Sequence, residues 1–255
     1  MEKARYFNSV ISEKGKFRKI NEDAFLIEKI ESSANFGYIL GVFDGVGGSD
    51  QGEVASSYTK ESFSSFIREK GNEMFDLEDK EVISLINNEI MNIHYTLIRR
   101  GEEKKKFYGT TLTLLLALNT RYFIAQVGDS RMYMFSERQG LKKVTEDQNK
   151  FELYKKKGIA LVGNDKEKAK TVITQCVGKG ILNPIYSKGI FPDTYEVILS
   201  TDGFYRKLLS SEIESIFTYE GKKEEILSKS IKIARERKET DDLTVIYLRK
   251  EYKKE

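Results

Sequence analysis

Cysteine and histidine are almost missing from this chain: one of each in 255 residues. A lone thiol, Cys176, forms no intramolecular disulfide, and one Cys with one His, His94, cannot assemble a zinc site of the Cys/His type. No Ser or Cys sits in an elbow such as G-x-S-x-G, so a nucleophilic triad around His94 lacks its sequence signature. Catalysis, if present, is expected to use carboxylates. Long apolar runs are missing too. The strongest, residues 112–118, falls far short of the ~20 residues that span a bilayer. The opening Met1-Glu2-Lys3-Ala4-Arg5-Tyr6-Phe7 carries no apolar signal segment, so a soluble, cytoplasmic protein is expected. Charge of one sign is not in excess either, with 43 Lys+Arg against 40 Asp+Glu. The lysines are interspersed with acids, and no basic stripe argues for nucleic acid. Runs such as 104–106 and 155–157 read as solvated faces.

The length is sufficient for a full core. Strand-like runs at 5–11, 24–29 and 38–43 are followed by two helices, over about 52–68 and 77–99. The first turns Val54, Tyr58, Phe63, Phe66 and Ile67 to one side; the second places Val82, Ile86, Ile90, Ile93 and Leu97 in a continuous apolar stripe. Strands follow at 110–118, 122–127 and 132–135, the first apolar enough to be buried on both faces. A Lys-rich, less regular region over about 145–190 contains a helix at 148–157. Then come a strand at 195–200, helices near 211–219 and 223–238, and a last strand at 243–248. Without a repeat, linker or low-complexity segment, residues 1–255 are expected to form one domain.

The informative feature is where the acids fall. Asp44 follows Ile39-Leu40-Gly41-Val42-Phe43, Asp129 follows Ile124-Ala125-Gln126-Val127-Gly128, and Asp202 follows Val197-Ile198-Leu199-Ser200-Thr201. Asp241-Asp242 directly precede Leu243-Thr244-Val245-Ile246. Each alone reads as a turn former. Strands in one or two sheets deliver their ends to common edges, and carboxylates that converge there raise one another's pKa unless a cation compensates. Hard divalent ions such as Mg2+ and Mn2+ prefer such oxygen ligands. Gly45, Gly47 and Gly48 would let the backbone turn tightly and bring a carbonyl toward a metal.

These residues fall into an ordered set: Arg18-Lys19-Ile20-Asn21-Glu22-Asp23, Val42-Phe43-Asp44-Gly45-Val46-Gly47-Gly48, Gly109-Thr110-Thr111 and Gly128-Asp129-Ser130-Arg131. Thr145-Glu146-Asp147, Ile173-Thr174-Gln175-Cys176-Val177-Gly178, Leu199-Ser200-Thr201-Asp202-Gly203-Phe204 and Asp241-Asp242-Leu243-Thr244-Val245 complete it. In this the chain resembles the metal-dependent serine/threonine protein phosphatases of type 2C, the PPM family, from about Arg18 to Leu248. The resemblance implies an α+β fold, a four-layer α-β-β-α sandwich of two antiparallel sheets flanked by helices, with a flap at about 145–190. It implies two or three Mn2+ or Mg2+ ions at one edge. Asp44 would bridge two metals, the Gly45 carbonyl would bind one, and Asp202 and Asp241 would complete the second. Glu22 and Asp23 would act through metal-bound waters, Asp129 would serve a third metal, and Arg18 would bind the substrate phosphate, for which its planar donor fork is suited.

The implied reaction is in-line attack by a metal-bridging hydroxide on phosphoserine or phosphothreonine. The implied partners are phosphorylated proteins and a cognate Ser/Thr kinase, with the phosphatase itself a monomer that binds neither nucleic acid nor membrane. The alternative is a pseudophosphatase acting as a phosphoprotein-binding module, against which Asp44, Asp202 and Asp241 all stand; a nuclease using the same acids is disfavoured by charge balance and motif order. Departures from the family pattern are visible. Val46 stands where many eukaryotic members carry a general-acid His, which with the compact length resembles the bacterial members. Asp242 replaces a more usual Asn and would add charge beside the metals, and Gln148 replaces a common His. His94 and Cys176 are read as structural.

Overall fold

The computed structural model describes residues 4–32, 34–46 and 51–252. Strands β1 (Ala4–Glu13), β2 (Asp23–Glu31) and β3 (Phe36–Val46) lead into helices α1 (Gln51–Lys70) and α2 (Asp79–Lys104). Then come β4 (Gly109–Thr110), β5 (Leu112–Leu118), β6 (Arg121–Val127), β7 (Arg131–Ser136) and β8 (Gly140–Lys143). After α3 (Lys150–Lys156) and α4 (Gly163–Lys170) follow β9 (Ile185–Ile190) and β10 (Tyr195–Ser200). The chain continues through α5 (Asp202–Tyr205), α6 (Ser210–Thr218) and α7 (Lys223–Glu236) to β11 (Leu243–Tyr252). Among the described residues no helix is long and apolar enough to cross a membrane.

The strands form two antiparallel sheets, one ordered β1-β11-β10-β7-β8 and the other β2-β3-β5-β6-β9, with β4 paired to β3. Side chains alternate across a strand, and here the alternation builds the layers. In β5, Leu112, Leu114, Leu116 and Leu118 pack under α1 and α2, while Leu115 and Ala117 meet the facing sheet. In β10, Val197 and Leu199 face that same inter-sheet core, and Ile198 faces the helices of the other side. Every residue of β5 and β10 is buried. The result is the α-β-β-α order: α1 and α2, two sheets, then α5, α6 and α7.

The stripe of α2 is buried as its spacing predicts, Val82, Ile86, Ile90, Ile93 and Leu97 all lying under the surface. α1 differs. Val54 is 39% exposed, and the inward face begins with the small residues Gly52, Ala55 and Ser56, because this end of the helix lies directly on the backbone of β3. A Cβ on Gly52 would come within 2.8 Å of the Gly45 carbonyl carbon and oxygen.

The predicted strand at 110–118 is two elements broken at Thr111, whose N–H donates to Asp44 O (2.8 Å) and whose hydroxyl accepts from Asp44 N–H (3.0 Å). Strand β8, strand β9, helix α4 and the short α5 were not apparent from periodicity. The predicted helix at 148–157 starts later, at Lys150, with Asn149 as its N-cap: its side chain accepts from Glu152 N–H at 3.0 Å, as short polar caps do. Lysines 104–106 and 155–157 are exposed.

His94 is structural. Gly178 N–H donates to its Nδ1 (3.0 Å), which leaves the Nε2 proton to donate to Gly180 O (3.1 Å). Burial lowers its pKa, so the neutral ring ties α2 to the 178–180 turn. Cys176 is buried, and desolvation pushes its thiol up to about 11.

At one end the two sheets are tied by polar bonds. Asp242 is 3% exposed and accepts from both Gly15 N–H (2.7 Å) and Glu22 N–H (2.8 Å). Thr201 Oγ1 donates to Asp23 Oδ2 (2.8 Å), and Asn21 Nδ2 donates to Ser12 Oγ (2.9 Å). Both Asp242 oxygens thus hold backbone, and its charge also reaches Asp23, whose pKa it raises, so the added charge comes with a structural role. Leu115→Ala is expected to cost about 2–5 kcal/mol, read as a lower urea midpoint at unchanged slope. Asp242→Ala should strand two buried N–H groups at about 1–3 kcal/mol each, with faster amide exchange at Gly15 and Glu22 than in Asp242→Asn, which keeps one acceptor.

Candidate active site

The pairing registers put every predicted acid at the same end of the sandwich. In one sheet Asp23 opens β2 opposite Asp44 near the end of β3. In the other, Ser200 ends β10 opposite Val245 and Arg131, and Glu13 ends β1 opposite Leu243. The segments just beyond those positions carry Asp202, Asp129 and Asp241, so two sheets that share no strand deliver their acids to one edge.

The geometry at Asp44 is fixed by backbone. Besides the Thr111 bonds, Gly45 N–H donates to Glu22 O (3.1 Å), and Ser56 Oγ donates to that same carbonyl (2.6 Å). The tight approach of α1 needs glycine at both 45 and 52: a Cβ on Gly45 would lie 2.4 Å from the Gly52 carbonyl carbon. Gly47 and Gly48, expected to supply the turn after Asp44, lie outside the described residues. On the opposite sheet, Asp202 opens α5, and a Cβ on Gly203 would stand 2.0 Å from Asp242 O. Glycine there lets the Asp202 turn lie against the Asp241-Asp242 backbone.

Asp23 and Asp44 stand opposite each other and are half-buried; Asp129 is 3% exposed. Desolvation, opposed by hydroxyl hydrogen bonds from Thr201 and Thr244 and reinforced by the charges of Asp242 and Asp241, pushes Asp23 up to about 7. Burial and then the charges of Asp23, Asp129 and Asp241 hold Asp44 well above the usual carboxylate range, with Arg206 pulling the other way. Burial, and next the Asp147 charge, raises Asp129 to about 6 against Arg206 and Arg131. Tyr205 OH donates to Asp129 O (2.8 Å), with the Arg131 guanidinium stacked on the Tyr205 ring. Arg131 in turn grips Asp147 through Nε (3.0 Å) and Nη2 (2.6 Å). Burial opposes ionisation of Asp147, but Arg131 and Lys143 outweigh it and hold its pKa below normal.

Two arginines enter this acidic edge. Arg18 donates from Nη1 to Glu22 Oε2 (2.6 Å) and from Nη2 to Asp241 Oδ1 (2.8 Å). Arg206 donates from Nη2 to Asp202 Oδ2 and lies 3.6 Å from Glu239 Oε1 and 3.7 Å from Asp241 Oδ2. Among the described residues no three acids are grouped at ion-holding spacing; Asp202 and Asp241 are paired with guanidinium instead. Arg206 and the buried Glu239 are the site residues that sequence reading missed. Arg206 lies four residues after Asp202, one helical turn on, a spacing that makes side chains neighbours; Glu239 carried no such signal.

The donor set suits a hard divalent cation: all oxygen, partly desolvated, and with three carboxylates, Asp23, Asp44 and Asp129, raised until a positive charge relieves them. The fold and the sequence have known relatives. The family model described as Protein phosphatase 2C matches residues 7–153. The serine/threonine phosphatase stp of Listeria welshimeri is 25% identical over 209 residues, 80% of each chain. The S. agalactiae serine/threonine phosphatase structure superposes with a TM-score of 0.81 at 21% identity, covering 96% of this chain and 99% of that one. The catalytic domain of the phosphatase PstP, solved with two manganese ions, gives 0.77 at 19% identity, over 98% and 100%. With more than half its length matched by that family's model and the same sandwich throughout, the chain belongs to the protein phosphatase 2C family.

Proposed function

We propose that this edge removes phosphate from phosphoserine and phosphothreonine in proteins, using two Mn2+ or Mg2+ ions held by Asp44, the Gly45 carbonyl, Asp202 and Asp241. Asp129 serves a third ion, and Glu22 and Asp23 act through water. The observation that carries the reading is the Asp23–Asp44 pair, opposite across the β2–β3 ladder and facing Asp202 and Asp241 from the other sheet. The manganese-bound relative and its shared fold support the choice of ion. Bound there, the cations supply Lewis acidity, neutralising phosphoryl charge and lowering the pKa of water.

The chain's own residues do the rest. Asp242 and Thr201 fix the two halves of the acid cluster against each other. Arg18, partly exposed at the rim, exchanges carboxylate partners for phosphate oxygens and orients the ester for in-line displacement. Val46 has no proton to give, so the departing serine or threonine oxygen takes its proton from water or from another group of this edge. Within residues 145–190, 185–190 is strand β9 of the sheet, and the flap that selects among phosphoproteins is built on α3 and α4, which stand outside the sheets, with Lys155, Lys156 and Lys157 exposed for acidic partners. One chain carries every residue of the site, as a monomer requires, and a cognate Ser/Thr kinase is the matching source of substrate.

Mn2+-dependent phosphate release from a phosphothreonine peptide is the direct test. Activity should vanish in EDTA and fall by about 100-fold or more in Asp44→Asn, and no turnover with Mn2+ would sink the reading. Arg18→Ala should raise KM about 10- to 100-fold, the range for losing hydrogen bonds to a charged group.

Metal removal has a pH signature. Asp23 at about 7 and Asp129 at about 6 lie above the ordinary ~3.9 of the unfolded chain. Their contribution is therefore fully present below the unfolded value and lost as pH rises through the folded ones. In chelator, Tm should fall between about pH 4 and 7 and level off above that, and Mn2+ should flatten that fall; equal slopes with and without Mn2+ would contradict it.

A further inference from the structure

We propose that Arg206 is a built-in competitor of the second metal: its guanidinium occupies the Asp202–Asp241 seat in the metal-free protein and moves onto Glu239 when a divalent cation arrives. The proposal rests on the metal reading above. Three carboxylates, Asp202, Glu239 and Asp241, surround this one guanidinium, at hydrogen-bond contact, 3.6 Å and 3.7 Å respectively. With Glu22 and Arg18, which shares Asp241, the cluster has four carboxylates against two guanidiniums and so two negative charges left over, the complement of a divalent ion.

Glu239 supplies the second position. It is 4% exposed, and its Oε1 accepts from Thr240 N–H (2.9 Å) and Asp241 N–H (3.1 Å). Its Oε2 is buried with no hydrogen-bond partner among the described residues. A buried carboxylate oxygen left unpaired is costly, and Arg206 is near enough to reach it by rotating its side chain. A metal between Asp202 and Asp241 would repel the guanidinium from those acids, while the vacant Glu239 oxygen offers it a two-pronged partner. Arg18 also holds Asp241, through Nη2 at 2.8 Å, but its other partner is Glu22, which receives Nη1 at 2.6 Å, rather than Glu239.

Competition between two cations for one seat is reciprocal: the more firmly Arg206 holds Asp202, the weaker the metal. Calorimetric titration of Mn2+ into chelator-stripped protein tests this without turnover. Arg206→Gln should bind its weakest ion about tenfold more tightly, within the usual range of such couplings. Arg206→Lys, which keeps the charge, loses the two-pronged geometry and guards against a folding defect in Gln, should bind its weakest ion more weakly than Arg206→Gln does. Glu239→Gln should weaken Mn2+ binding in the parent, by removing the alternative partner, and do so less in the Arg206→Gln background. Equal or weaker binding in Arg206→Gln, with the parent binding normally, overturns the proposal alone and makes Arg206 an orienter of Asp202. No binding by either protein overturns the metal reading together with it.

Discussion

Asp23 and Asp44 face each other across neighbouring strands, and the free energy of keeping both ionised in a partly desolvated edge sets the terms for everything around them. Like charges at this range raise each other's pKa, and burial adds to the effect. The structure does not relax the pair by letting it spread. Asp44 is held by Thr111 and by the close passage of α1 over Gly45, and Asp23 is held by Thr201 from the other sheet. The charge is retained and offset within the chain by Arg18 and Arg206, and the proposed metals would offset it further. That retained charge sets this edge apart from a set of ordinary turns.

The same logic explains the arrangement of the sheets. A four-layer sandwich buries apolar side chains in three separate cores, and only strand ends escape them. β5 carries no acid, and Glu196, the acid within β10, is held by Tyr247 OH and Lys223; the carboxylate cluster is tolerated only at the strand ends. The rigid ladder then provides what a loop would not, a fixed separation between carboxylates contributed by segments far apart in sequence.

Much of this was legible in the sequence because it depends on period and on local order. The β5 leucines and the α2 stripe read correctly, since burial on both faces and on one face leave different patterns. The acids were found because each directly adjoins an apolar run. What escaped has long-range causes. Nothing local marks the break at Thr111, which arises from bonds to Asp44. Val54 belongs to an apolar set by composition yet points outward, because Gly52 and Ala55 must face the β3 backbone. Strand β9 is exposed or half-buried along its whole length, so it lacks the alternation that betrays a strand. The charge of Asp242 is visible in sequence, but its bonds to Gly15 and Glu22, more than 200 residues away, carry no local mark. Glu239 and Arg206 acquire meaning only from each other.

Strand β11 has an implication in time rather than in space. It lies between β1 and β10, and its first residues follow directly on Asp241 and Asp242. Ser12 and Thr244, 232 residues apart, join across it. As the chain leaves the ribosome, β2 through β9 can pair and bury their leucines, but β1 must wait unpaired and its sheet has no centre. Glu22 has no Asp242 to hold its N–H, and Asp44 has no Asp241 across from it. The acid edge is therefore complete only once this one strand, the last of its sheet in sequence, is in place.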